Sequence, residues 1–211
     1  MMKPLSTYPQ LTARHRPGRG PGRELRGFLL PFCCAAALLI TSASAPAIAD
    51  QRDSRLPELF RQLQQAKSPV EAMTVEGVIW AIWAESGDKE LDRLLAEGTA
   101  AMSVDDYATA LADFDALTQR APQFAEGWNK RATLLYLIGD LQASLEDIDR
   151  VLKLEPRHFG ALAGLGLVNL GLDREEAARD AFAQVLKIDP MNLAAKANLK
   201  AVQQQLDDKS I

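Results

Sequence analysis

Beyond residue 49 the sequence contains no cysteine and only one histidine. Cys33 and Cys34 both lie in the segment 1–49, as does His15. The remainder of the chain therefore lacks a disulfide, a thiolate nucleophile and a cysteine-ligated metal. His158 has no second histidine with which to share a metal, and no glycine-rich segment has the Walker or Rossmann spacing of a phosphate-binding loop. We therefore expect no catalytic residues, no metal and no cofactor.

The segment 1–49 has the order of features found in a secretory signal peptide. Six cations precede an apolar run, "FLLPFCCAAALLI" at 28–40, and a small–x–small motif at 47–49 stands just before Asp50. The run is interrupted by Pro31 and is shorter than the ~20 residues of a membrane-spanning helix. The residues before Cys33 lack the small side chains of a lipid-attachment motif. We expect a periplasmic or secreted protein without a stable membrane span once the leader is removed; an organelle transit peptide is the rival interpretation.

Removal of this leader changes the charge of the chain. Six of the 24 cations and one of the 28 acids precede residue 50, so the net charge goes from −4 to −9. An acidic protein is repelled by phosphate backbones, and we expect no nucleic-acid partner.

A constant period organises the rest of the chain. Pro122, Pro156 and Pro190 are evenly spaced, and a new helical pattern follows each proline. Their spacing of about 34 residues is within the range that indicates a repeat architecture. Each period holds two amphipathic helices, because proline ends one helix and cannot continue it. Gly139 is expected to cap the first helix of the middle period, and Gly171 with Asp173 is expected to do the same one period later.

The pattern within each period resembles the tetratricopeptide repeat, a helix–turn–helix unit. In the middle period the first helix has the expected large, small, large series, and all three second helices have a small residue followed by a large one. The residues are Trp128, Ala132 and Leu135 in the first helix, and Ala110 with Phe114, Ser144 with Ile148, and Ala178 with Phe182 in the second helices. The resemblance implies an all-α fold, an α-α solenoid in which the repeats form a right-handed superhelix.

The same frame predicts how the chain is divided. A signal peptide at 1–49 and a linker at 50–56 precede a degenerate helix pair at 57–90, in which Glu76 occupies a position normally held by a small residue. Three repeats follow at 91–124, 125–158 and 159–192, and a capping helix and tail occupy 193–211. In the degenerate pair, the second helix is apolar enough to be well buried.

The resemblance also implies that the first helices line a concave groove. The residues expected there as partner contacts are Asn129, Thr133, Tyr136, Leu95, Thr99, Met102, Leu167 and Leu170. Asn129 is the best candidate for a polar contact, although it could equally bond a neighbouring helix. Glu97 and Arg131 are expected to pair between repeats, and Lys130 to be solvated. The lysine, arginine and asparagine cluster with which some relatives hold a peptide carboxylate is missing.

Three functions remain open. The first is a non-catalytic scaffold that binds a protein or peptide in the groove. The second is a self-associating structural protein, a homo-oligomer formed through the groove or the N-terminal helix pair. The third is an enzyme centred on His158 and Arg157, although a lone histidine in a turn is more often a cap or a packing residue. The paired acids at 113–115 and 146–149 are expected on the solvated convex face.

Overall fold

A computed structural model describes residues 50–209, which hold nine α-helices and no strand. The leader at 1–49 and residues 210–211 lie outside the described residues. The helices are α1 (Leu56–Gln65), α2 (Pro69–Trp83), α3 (Lys89–Ser103), α4 (Tyr107–Arg120), α5 (Ala125–Leu137), α6 (Leu141–Leu154), α7 (Phe159–Gly171), α8 (Glu175–Ile188) and α9 (Leu193–Lys209). The predicted all-α solenoid is confirmed. Among these helices none is both long and apolar enough to cross a membrane.

Three antiparallel hairpins, α3–α4, α5–α6 and α7–α8, stack in sequence order, and α9 closes the stack against α8. Helices α5, α7 and α9 begin at equal intervals, at Ala125, Phe159 and Leu193, which matches the spacing of the prolines. The large residue of each second helix fills the space left by a small residue of its partner. A side chain added at Gly98 would lie 2.7 Å from Phe114, and one at Gly166 would lie 2.4 Å from Phe182. These close contacts fix the helix pairs.

The turns inside two of the hairpins differ in the residue that takes the left-handed conformation. Gly139 has a φ of 84° and ends α5, as predicted. After α7 this conformation belongs to Asp173, with a φ of 54°, and Gly171 is the last residue of the helix. Gly171 is required there for a different reason, because a side chain would lie 2.9 Å from Leu141 of the preceding repeat.

The N-terminal hairpin α1–α2 buries its side chains against the later helices of the array. Its buried side chains share one cluster with residues of α7, α8 and α9, and the cluster contains no described residue of α3 or α4. This placement differs from in-phase stacking ahead of the first repeat. The physical reason is that α2 has no distinct polar face and that Glu76 stands where close helix packing needs a small residue. Helix α2 therefore packs against a different apolar surface.

This docking is extensive. Six large residues of the hairpin are buried to 5% exposure or less: Leu56, Phe60, Leu63, Ile79, Ile82 and Trp83. At about 1.5–3 kcal/mol for each side chain, their burial contributes on the order of 10 kcal/mol. The hairpin is therefore a fixed part of the fold.

Candidate functional site

The structure divides the predicted groove residues between two cavities. One cavity of about 180 Å³ lies between α5, α6 and α7, and Asn129, Thr133, Tyr136 and Leu167 line it. The other, of about 680 Å³, is lined by Leu95 and Thr99 together with residues of α2 and α5.

The remaining two predicted residues, Met102 and Leu170, are half-buried. Met102 lies against the cluster formed by α3 and α4, and Leu170 lies against the cluster formed by α8 and α9. Neither of them lines the two cavities. The first helices thus present an apolar inner face, and α2 packs across part of it.

Trp80 is the residue of α2 that enters this inner face. Its ring lies 5.2 Å from the ring of Phe159, edge to face, and a side chain at Gly160 would lie 2.4 Å from it. The absence of a side chain at Gly160 lets the tryptophan lie directly on the backbone of α7. The repeat pattern gave no indication that the chain's own helix α2 would cover Gly160.

A buried polar network joins the repeats beneath the hairpin. The Glu126 carboxylate, with 2% exposure, accepts a hydrogen bond from Asn129 Nδ2 at 3.0 Å, and its Oε2 lies 3.1 Å from His158 Nε2. Lys130 Nζ lies 3.3 Å from its Oε1. Lys130 is therefore half-buried and paired, not solvated as predicted, since the carboxylate draws it onto the inner face.

His158 serves as the N-cap of α7. Its Nδ1 accepts a hydrogen bond from the Ala161 amide at 3.1 Å, so Nε2 carries the proton that is donated to Glu126. The ring is fully buried and stacks on Trp83 with a centroid distance of 4.1 Å. The expectation of a capping and packing role is confirmed. Both ring nitrogens are occupied, which leaves neither of them open to a substrate.

Arg131 pairs with residues other than the one predicted. Its guanidinium donates two hydrogen bonds of 2.7 Å to Asp147 on α6 and one of 2.8 Å to Asp115 on α4. The predicted pairing of Arg131 with Glu97 is wrong, because Glu97 bonds Arg93 one turn earlier on its own helix. The hydrogen bonds that Arg131 donates to Asp147 are the main reason that the pKa of Arg131 is raised.

This arrangement also corrects the prediction for one of the paired acids, Asp147, whereas Glu146 and Asp149 are exposed as predicted. The side chain of Asp147 is only 3% exposed, so it does not lie on the solvated face. Asp115 and Asp147 stand at equal distances in sequence before and after Arg131, on the second helices of successive repeats, and the arginine joins them. The equal spacing of two acids on both sides of Arg131 was the pattern that could have revealed this link.

Trp128 packs in the core of its own repeat, as predicted. It is 7% exposed and shares a cluster with Ile148 and Val151 of α6, and its Nε1 donates to the Pro122 carbonyl at 3.0 Å. Within residues 50–209, no group of three or more histidine or acidic side chains is arranged to hold a metal ion.

Comparison with known proteins agrees with this architecture. The family model described as tetratricopeptide repeat matches residues 95–149 and 138–192. A TPR repeat-containing protein of Rhizobium etli is 34% identical over 142 residues, covering 64% of this chain and 70% of that protein. The chain belongs to the tetratricopeptide repeat family.

Solved structures share the fold of these TPR repeats at low sequence identity. The Sgt2 TPR domain from Aspergillus fumigatus has a TM-score of 0.56 at 22% identity, covering 58% of this chain and 83% of that one. The first TPR of Spaghetti, solved with an HSP90 peptide, has a TM-score of 0.55 at 18% identity, covering 56% and 94%. A MamA double mutant has a TM-score of 0.52 at 22% identity, covering 72% and 85%.

Proposed function

We propose that this TPR protein is an exported, non-catalytic scaffold that binds a protein or peptide on the inner face of its repeats. The observation that carries the proposal is the pair of apolar cavities on the first helices, the surface that an array of stacked hairpins turns inward. Peptide-bound TPR domains such as that of Spaghetti share this fold. Its export to the cell envelope is supported by the leader pattern at 1–49.

The inner face is only partly open to a partner. Helix α2 covers the start of α7 through Trp80 and Phe159, whereas Thr133 is exposed and Tyr136 is half-buried in the smaller cavity. A guest would therefore contact the later turns of α5 and α7, next to the part of α7 that α2 covers. The hairpin is a wall of the binding surface.

A crosslinking pull-down from the envelope fraction tests the proposal. Thr133→Arg places a long charged side chain in the open part of the inner face, and we expect it to remove most of the captured partner. Gln119→Arg, an exposed position on the second helix α4, is the matched control and should capture the partner normally. Equal capture by both variants would move the binding surface elsewhere. The TPR protein recovered from the envelope fraction should begin at Asp50. Recovery of a TPR protein that keeps the leader at 1–49 would refute the export proposal.

Self-association is the second candidate, and one observation favours it. The outer face of α2 leaves Val70 and Met73 exposed by 74% and 65%. Exposed apolar stripes of this kind often lie in an interface between copies. Light scattering distinguishes the two functions, because a dimer that persists on dilution and is lost in Met73→Lys would favour self-assembly.

A further inference from the structure

The larger cavity is a cleft that the N-terminal hairpin and the first repeat form together. Trp80 of α2 and Ala84, which follows the last residue of α2, stand on one side, and Leu95, Ala96 and Ala100 of α3 stand on the other. Its volume of about 680 Å³ lies within the range of ~300–1,000 Å³ that is typical of ligand pockets. The cleft stays open because a tryptophan faces two alanines, which are too small to fill the space.

The tryptophan wall is rigid. The Trp80 ring makes edge-to-face contacts with Trp83, His158 and Phe159 at 5.2–5.4 Å. The hairpin that carries it is anchored by deeply buried side chains such as Leu63 and Ile79. A guest therefore meets a preformed apolar wall, which reduces the entropy cost of binding.

Carboxylates outnumber cations in the lining of this cleft. Glu126 and Asp92 line it, with Lys130 as its one cation among the described residues, and Lys130 is paired with Glu126 at 3.3 Å. Asp92 uses Oδ1 to accept two hydrogen bonds from Ser86, and within residues 50–209 its Oδ2 accepts none. Asp92 lines the cleft, so this oxygen is available to a cationic group of a guest.

The rim of the cleft adds further negative charge. The connection from α2 to α3 exposes Glu85 and Asp88 against a single cation, Lys89. Arg55 lies near Glu85, but its guanidinium is paired with Asp53 at 2.8 Å. The charge at the mouth therefore attracts a cationic group.

We infer that this cleft binds a short partner segment in which a lysine or arginine flanks a leucine-sized apolar side chain. The inference rests on the proposed function and names the chemistry of its partner. The apolar side chain packs between Trp80 and Leu95, and the cation faces Asp92 and the rim. A second copy of the chain is a poor occupant, because residues 50–211 carry a net charge of −9 and two such surfaces repel each other.

A peptide titration tests this directly. The probe is a fluorescent hexapeptide with two leucines flanked by lysines, measured by anisotropy on the full chain up to 1 mM protein. We expect saturable binding that weakens with added salt, and at least tenfold weaker binding when glutamates replace the lysines. Ala100→Trp fills the cleft and should weaken binding at least tenfold. Ala112→Trp, on an exposed position of α4, is the matched control and should bind normally.

The outcomes separate this inference from the proposed function. Ala96→Trp provides a second cleft-filling variant, and circular dichroism checks that each variant is folded. No binding of the lysine probe, equal binding of the glutamate probe, or undiminished binding by both filled variants would overturn the inference. The proposed function would still stand if Thr133→Arg released the partner. A stable dimer in light scattering that excludes the probe would also overturn the inference, in favour of a second copy as occupant.

Discussion

The contact between Glu76 and Asp189 makes the stability of the docked hairpin depend on pH. Asp189 is fully buried; its Oδ1 accepts the Met191 amide at 3.0 Å, and its Oδ2 accepts no amide or hydroxyl of the described residues. Glu76 of α2 lies within hydrogen-bond reach of this carboxylate, and its Oε1 accepts Asn192 Nδ2 at 3.1 Å. Next to the Asp189 carboxyl group, Glu76 keeps its proton to a higher pH than a solvated glutamate does. Burial, and then Asp189, raise the pKa of Glu76 from 4.5 to about 7.

The sign and size of the effect follow from this shift. Between pH 4.5 and about 7 the folded chain holds a proton that the unfolded chain has released, so the free energy of unfolding falls as pH rises and levels off above 7. At about 1.36 kcal/mol for each pH unit, the upper limit is about 3.4 kcal/mol. Because Glu76 retains much of its contact with water, screening reduces the expected loss to about 1–2 kcal/mol.

Glu76→Gln removes this dependence without changing the shape of the side chain. The amide oxygen can still accept from Asn192, and the amide nitrogen can donate to Asp189 Oδ2 at every pH. Urea unfolding at pH 5, 6, 7 and 8 should show a near match at pH 5 and a variant more stable by about 1–2 kcal/mol at pH 8. Glu146→Gln, on the exposed face of α6, is the control. If the difference in unfolding free energy between variant and parent stayed constant across the pH series, the proposed retention of a proton by Glu76 would be refuted.

Three further changes probe the repeats and their junction. Gly166→Ala should destabilise by about 1–3 kcal/mol in urea unfolding, because its side chain would meet Phe182 at 2.4 Å, whereas Gly164→Ala, with its nearest contact at 3.6 Å, should be neutral or stabilising. Asp147→Ala removes the two 2.7 Å hydrogen bonds that join the half-buried Arg131 guanidinium to α6, leaving its bond to Asp115, and should cost about 1–3 kcal/mol, against less than about 0.5 kcal/mol for the exposed Asp149→Ala. His158→Ala removes a helix cap and a donor to a buried carboxylate, and should cost about 2–4 kcal/mol with a visible loss of near-ultraviolet circular dichroism from the stacked Trp83. If Gly166→Ala were as stable as Gly164→Ala, or Asp147→Ala as stable as Asp149→Ala, the contact of Gly166 or Asp147 would not have the expected effect. An unchanged Trp83 signal in His158→Ala would count against the stacking contact.

Periodicity accounts for the part of the fold that the sequence predicts well. Pro122, Pro156 and Pro190 recur at a constant interval because each repeat makes the same local contacts, and those contacts depend on residues close in the chain. Gly98 against Phe114 and Gly166 against Phe182 are contacts of this kind, within one hairpin. Local spacing is sufficient to predict them.

The position of the α1–α2 hairpin is harder to predict from the sequence, because its contacts join residues that are distant in the chain. Gln64 donates to the Lys187 carbonyl, and Asn192 donates to Glu76, across 123 and 116 residues. A repeat frame carries no information about such pairs. The error at Arg131 has a different source, because its partners Asp115 and Asp147 are on second helices, while the repeat frame related Arg131 only to positions on first helices.

Polar contacts determine where an otherwise unselective apolar helix docks. Helix α2 could bury its side chains against many apolar surfaces, since apolar attraction has little directionality. His158 restricts the choice: Glu126 and the Ala161 amide hold both ring nitrogens, so the ring can only present its flat face to Trp83. At the other end of α2, Asp189 and Asn192 restrict Glu76 in the same way. Two polar anchors about two turns apart fix the register of the helix, and the register places Trp80 at the edge of the cleft.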